Sequence, residues 1–437
     1  MRQKNFALAL LTAAALAACG GTGSSGGDQT HKVAFSQQVT FGDSLSDVGT
    51  YNVGAIKAAG GGKFTINGNS TATNSVLTGL NWTEVLAAEL KLPAPCAAQT
   101  GLLGNTAGTN VPVTNNPSCF NYAQGGARVT NPIGPGNPAV KPELGEMTVP
   151  VVTQVANHLA KTGGKFSGTE IVTIMAGGND VLMQLGAVSA AGKRAGEQAF
   201  PGLLISGLAA TTLNPATAAP LIQQAVAANA ANGQSAIVNA AVGVAMSQGA
   251  TQAAAVAAAT KAGTDATAAG TKAAGEYAAA NAATLVGELG KAGAELAGIV
   301  KTQLLAKGAN YVIVNNLPDV ANTPSGRAQP ALQPLIDTMV NTFNAQLKAG
   351  LGTDARVMYV DLYAVSKDQV TNPAPYGLTN TTTKACATES SLTCTIKDAT
   401  GPDVSHYMFA DDIHPTPYEY WLVARYVLAD MAKKGWL

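Results

Sequence analysis

The sequence predicts an α/β fold of three layers, α/β/α, with a mostly parallel five-stranded sheet and an Ala-rich helical insertion. Two patterns predict it. From Val39 onward, short β-type runs alternate with amphipathic helical stretches. One internal tract then breaks that rhythm with a change of composition.

The candidate strands are residues 38–41, 119–123, 170–175, 310–315 and 356–361, and the first four run straight into polar turns rich in Gly or Asn. Ligands of open parallel sheets gather beyond the carboxyl ends of the strands, so these turns are where chemistry is expected. Candidate helices cover 81–90, 149–161, 329–349 and 417–434. In the first, Trp82, Val85, Leu86 and Leu90 fall on one stripe, as packing on a sheet requires. The break comes at about 187–300, which is rich in Ala with Gly, Gln, Asn and Thr and has no proline between Pro220 and Pro318. Alanine is the strongest helix former, so several helices with a thin core are expected there. Their place directly after a Gly-Gly-Asn-Asp turn suits either a lid over a site or a plain surface elaboration.

The chain begins with Arg2 and Lys4, a short apolar core from Phe6 to Leu16, and small residues before Cys19. That is the pattern of an export signal, too short to serve comfortably as a membrane span. Leu16-Ala17-Ala18-Cys19-Gly20 resembles the lipobox of bacterial lipoproteins, which implies a signal peptide at 1–18 and an acylated Cys19. Residues 19–32 have the Gly/Ser/Thr composition of a flexible tether. The expectation is a lipid-anchored body, 33–437, in a bacterial cell envelope. A glycine after the cysteine resembles lipoproteins sent to the outer membrane; a secreted form is the alternative.

The other four cysteines are Cys96, Cys119, Cys386 and Cys394. An even count suits an oxidising compartment. Of three possible connectivities, the two local pairs are the simplest, and no histidine lies near either pair to suggest zinc. Acidic and basic residues balance at 26 each, without a basic run, which argues against a nucleic-acid partner.

The strongest chemical signal is Phe41-Gly42-Asp43-Ser44-Leu45-Ser46-Asp47 at the end of the first strand. A tight turn there would expose the Ser44 hydroxyl, as a nucleophile requires. It is not the G-x-S-x-G elbow of α/β-hydrolases. Three more segments follow in order: Asn121-Tyr122-Ala123-Gln124-Gly125-Gly126-Ala127, Gly177-Gly178-Asn179-Asp180, and Asp411-Asp412-Ile413-His414-Pro415-Thr416.

Together these resemble the GDSL, or SGNH, hydrolase family, over most of the chain from Val39 apart from the Ala-rich tract. Asn316-Leu317-Pro318-Asp319 with Thr323-Pro324 adds a likeness to the larger bacterial GDSL esterases. The resemblance implies a flavodoxin-like sheet with Ser44 as nucleophile, His414 as base and Asp411 orienting it. It implies an oxyanion hole from the amides of Ser44 and Gly126, with Gly125 the alternative, and the side chain of Asn179. Asp412 is expected to point elsewhere.

Asp403-Val404-Ser405-His406 repeats the D-x-x-H spacing, but only His414 precedes Pro-Thr and a long helix. His31 and His158 are expected to be exposed. The family's chemistry is acyl transfer in two halves without a metal or organic cofactor. Expected substrates are fatty acyl or short-chain carboxylic esters, acted on by a monomer held at the membrane through its lipid. The alternatives are an acyltransferase, a phospholipase, or a structural surface lipoprotein.

Overall fold

The computed structural model describes residues 33–437. The export segment, Cys19, the tether and His31 lie outside the described residues. The chain divides into two compact units, one from 184–284 and one from the residues before and after it.

In the larger unit four strands form a parallel sheet: β1 (Gln38–Gly42), β4 (Ile171–Met175), β5 (Tyr311–Asn315) and β6 (Val357–Val360), in that spatial order. β1 and β4 are buried at every position, the mark of strands covered on both faces. On one face α2 (Trp82–Glu89) and α11 (Pro417–Lys434) pack Trp82, Leu86, Tyr420 and Val427 against Ile171, Ile313 and Met358. The opposite face carries α3 (Val151–Lys161), whose His158 lies edge-on to Phe41, and α9 (Gln333–Leu351). Phe343 of α9 presses on Gly177, where a Cβ would fall 2.5 Å from its ring. With φ at +119°, that position takes glycine on both counts.

The expected fifth strand at 119–123 is corrected. Its pairing with β1 is a single bridge, Thr40 to Asn121, instead of a ladder, so the sheet has four strands. The segment still runs beside β1, with the Thr40 N–H on the Phe120 carbonyl and the N–H groups of Tyr122 and Gln124 on the carbonyls of Thr40 and Gly42, while the Asn121 side chain accepts from the Ala123 N–H and donates to the Ser46 carbonyl. Two small sheets not anticipated in sequence complete the larger unit: the antiparallel pair β2 (Gln99–Leu103) and β3 (Asn110–Asn115), and the parallel pair β7 (Asn380–Lys384) and β8 (Tyr407–Phe409). Disulfides join Cys96 to Cys119 and Cys386 to Cys394. The short helices α1 (Gly54–Ala58), α8 (Pro324–Arg327) and α10 (Leu362–Thr371) fill connections.

The smaller unit is helical. It takes in most of α4 (Gly178–Ala209), then α5 (Pro215–Ala228), α6 (Gln234–Ser247) and the first part of α7 (Gln252–Ile299). A few large side chains, Phe200, Leu204, Leu208 and Ile222, pack among buried alanines at 241, 245, 255 and 262. Alanine and glycine let helices approach closely: a Cβ added to Gly192 would lie 2.7 Å from the carbonyl oxygen of Gly270. The Ala-rich composition therefore makes a core of close backbones with little side-chain bulk. No helix among the described residues is long and apolar enough to cross a membrane.

Candidate active site

β1 delivers its last residue, Gly42, into a sharp turn. The turn is held from beneath by α3, where Gln154 accepts from the Gly42 N–H and donates to its carbonyl. The Asp43 carbonyl then accepts from Ser46 N–H, closing a loop with Ser44 at its crest. Asp47 ties that loop to the glycine segment, its carboxylate taking the N–H groups of Gly49, Thr50 and Gly125.

The C-terminal segment supplies the other half. Asp411 and His414 are three residues apart in a turn, closed by the Ala410 N–H on the His414 carbonyl. The Asp411 carboxylate accepts the backbone N–H groups of Ile413 and His414 and, from across the loop, of Ser391 at 2.6 Å. It also faces His414 Nδ1 at 2.8 and 2.9 Å. These bonds fix the imidazole edge-on, and its far nitrogen, Nε2, lies 2.9 Å from Ser44 Oγ. Serine hydroxyl, imidazole and carboxylate thus stand in hydrogen-bonded series. The ring of Phe64 packs on the imidazole with centroids 4.8 Å apart.

The electrostatics follow from burial and partner. Burial alone would lift Asp411, but the His414 imidazole and the N–H groups of Ser391 and Ile413 hold it well below the usual carboxylate range. Burial works against the imidazolium form of His414, yet Asp411 outweighs it and the histidine is raised, with Asp43 and Glu146 adding to the effect. Those two carboxyls are themselves pushed up by burial, each to about 7.

Beside the serine the backbone N–H groups of Ser44 and Gly126 have no hydrogen-bond partner among the described residues. Gly125 differs: its N–H is committed to Asp47, which leaves Gly126 as the available donor of the pair. Gly126 adopts φ +76°, and a Cβ there would meet Thr148 at 2.6 Å. Asn179 sits in the first turn of α4, buried, with one Nδ2 hydrogen directed to the carbonyl of Ala127 at 2.8 Å. Its neighbour Asp180 holds the same loop through Arg128 Nε and the Val129 N–H.

Other sequence expectations divide. Asp412 turns outward to Lys384 at 3.5 Å. His406 bonds the Gly377 carbonyl and lies on the Tyr418 ring, while Asp403 is taken up by Ser405. The expected exposure of His158 is wrong: it is fully buried, stacked on Phe166 and beside the Tyr122 hydroxyl, with its pKa lowered to about 4 by burial. The aromatic set that encloses it, Phe41, Phe120, Tyr122 and Phe166, comes from separate segments that no local periodicity links. Sequence reasoning also missed Gln154, Ser391, Phe64 and Glu146. None carries a motif signal, and each reaches the site only through tertiary structure. No cluster of three His, Cys, Asp or Glu suited to a metal ion occurs among the described residues.

The serine, imidazole and carboxylate thus stand in hydrogen-bonded series at the carboxyl edge of a parallel α/β sheet. The model of the GDSL-like lipase/acylhydrolase family matches residues 262–427, a span that contains Asp411 and His414. The chain is similar to Esterase EstA of Pseudomonas aeruginosa, 34% identical over 124 residues, covering 27% of this chain and 19% of that protein. It is also similar to a GDSL esterase/lipase of Arabidopsis thaliana, 34% identical over 91 residues, 19% of this chain and 25% of the relative. Lipase 1 of Photorhabdus luminescens is 37% identical over 78 residues, 17% and 12% respectively. The matched segments thus span a quarter or less of these relatives' own length.

Proposed function

We propose that this chain is a serine carboxylic-ester hydrolase acting on fatty acyl or short-chain acyl esters. The observation that carries it is the 2.9 Å approach of His414 Nε2 to Ser44 Oγ, with Asp411 on the other ring nitrogen. His414 takes the Ser44 proton as the oxygen attacks the ester carbonyl. It returns that proton to the departing alcohol, and water repeats the sequence on the acyl-serine. The developing oxyanion is received by the N–H groups of Ser44 and Gly126 and by Asn179, donors in place before the charge appears. The esterase and lipase names of the relatives support the same reaction. The N-terminal sequence supports export and acylation of Cys19, and with them a lipid-anchored enzyme of the bacterial cell envelope, at the outer membrane or secreted.

The test is labelling with a fluorophosphonate and hydrolysis of p-nitrophenyl esters by the wild type and by Ser44→Ala. Ser44→Ala should be folded and lose both. Labelling that persists in the variant would assign a different nucleophile.

A further inference from the structure

An apolar pocket of ≈ 600 Å³, its open mouth included, lies beside the site in the larger unit. Its wall includes Leu45, which directly follows Ser44, and Ile413 and Pro415, which flank His414. From there it continues past Met175 at the end of β4 to Val365 of α10 and Val423 of α11. The carboxyl groups on its wall are partnered, while Gln369 Oε1 is buried without a hydrogen-bond partner. Asp319 is bonded twice by Asn322, and Glu419 accepts from Gln369 Nε2 at 3.0 Å. Burial raises Glu419 to about 8, so that carboxyl is neutral at neutral pH. A second pocket, lined by Asn52, Lys57, Asn67, Asn69 and several glycines, has the polar walls that an aliphatic chain avoids.

Resting on the esterase reading above, we infer that the apolar pocket receives the acyl chain of the ester while its carbonyl carbon faces Ser44, and so sets acyl-chain selectivity. Binding energy from a remote chain then adds to kcat/KM methylene by methylene until the pocket is filled. On this assignment a longer acyl chain, and not acetate, meets Val365 and Val423 on the pocket wall.

The experiment compares acetate, butyrate, octanoate and palmitate esters of p-nitrophenol on the wild type, Val423→Phe and Val365→Phe. Each phenylalanine is expected to lower the octanoate-to-acetate ratio of kcat/KM by about tenfold or more, the equivalent of displacing two methylenes. A parallel series of acetate esters of lengthening alcohols should be unaffected. An unchanged acyl profile, or a change confined to the alcohol series, overturns the assignment. Octanoate binding to Ser44→Ala, followed by calorimetry, separates the two readings. Binding that Val423→Phe abolishes supports the pocket even if no ester is turned over, and no binding to either protein overturns it. Absence of hydrolysis of every ester by the wild type sinks the esterase reading alone.

Discussion

The side-chain amide of Asn179 donates to the backbone carbonyl of Ala127, 2.8 Å away and 52 residues earlier in the chain. One N–H of that amide therefore holds the glycine segment in place while the other is free to serve a ligand. Removing the side chain would loosen the Gly126 amide as well as delete a donor. Asn179→Ala is expected to lower kcat by at least the roughly 10²- to 10³-fold typical of one lost oxyanion donor. KM should change little and the circular dichroism should be native. Near-normal turnover would remove Asn179 from the site.

Asp411→Asn should be more damaging. An amide in place of the carboxylate can present an N–H towards His414 Nδ1, favouring the tautomer that cannot accept from Ser44. A fall in kcat on the order of 10⁴-fold is expected from the general behaviour of such triads. The variant also weakens the bond from Ser391 N–H and should unfold at lower temperature. Steady-state rates alongside a thermal melt distinguish the two effects.

Glu419 gives a pH test of stability. It is 4% exposed, and burial raises it from 4.5 to about 8. The folded state thus holds the proton where the unfolded chain has released it. Stability falls as pH rises from about 4.5 to about 8 and levels off above. Glu419→Gln should abolish that fall and gain roughly 2–4 kcal/mol on the wild type at alkaline pH. Urea unfolding at acidic and alkaline pH measures it; parallel pH profiles for both proteins would sink the assignment.

Four strands and the main helices were legible in sequence because buried strands are continuous apolar runs and helices repeat near every fourth residue. The last helix, Pro417–Lys434, has the bounds that the sequence predicts, since Thr416 caps it with proline at its start. The segment at 119–123 lies beside β1 as the sequence suggests, bonded to it through Phe120, Tyr122 and Gln124, but its pairing amounts to single bridges at Asn121 and so adds no full strand to the sheet. In the site, residues carried by short motifs, Ser44, Asp411 and His414, were legible and the structure brings them together. Gln154, Ser391 and Glu146 were not, because what matters about them is where the backbone goes around them.

The bond between Cys96 and Cys119 spans 23 residues and ends next to the segment that bridges to Thr40. Replacing both cysteines by serine should cost about 3 kcal/mol on the chain-entropy account. A shift of the urea midpoint with little change in kcat is the expected result; a large loss of activity at unchanged stability would give the disulfide a role in the site instead.

Ser44 and His414 are separated by 370 positions, so the pair exists only when these distant segments of the fold have met. During synthesis the hydroxyl emerges from the ribosome long before its imidazole. A stalled or prematurely released polypeptide would therefore carry no working charge-transfer couple. Any ester hydrolysis by this pair waits until synthesis has passed His414.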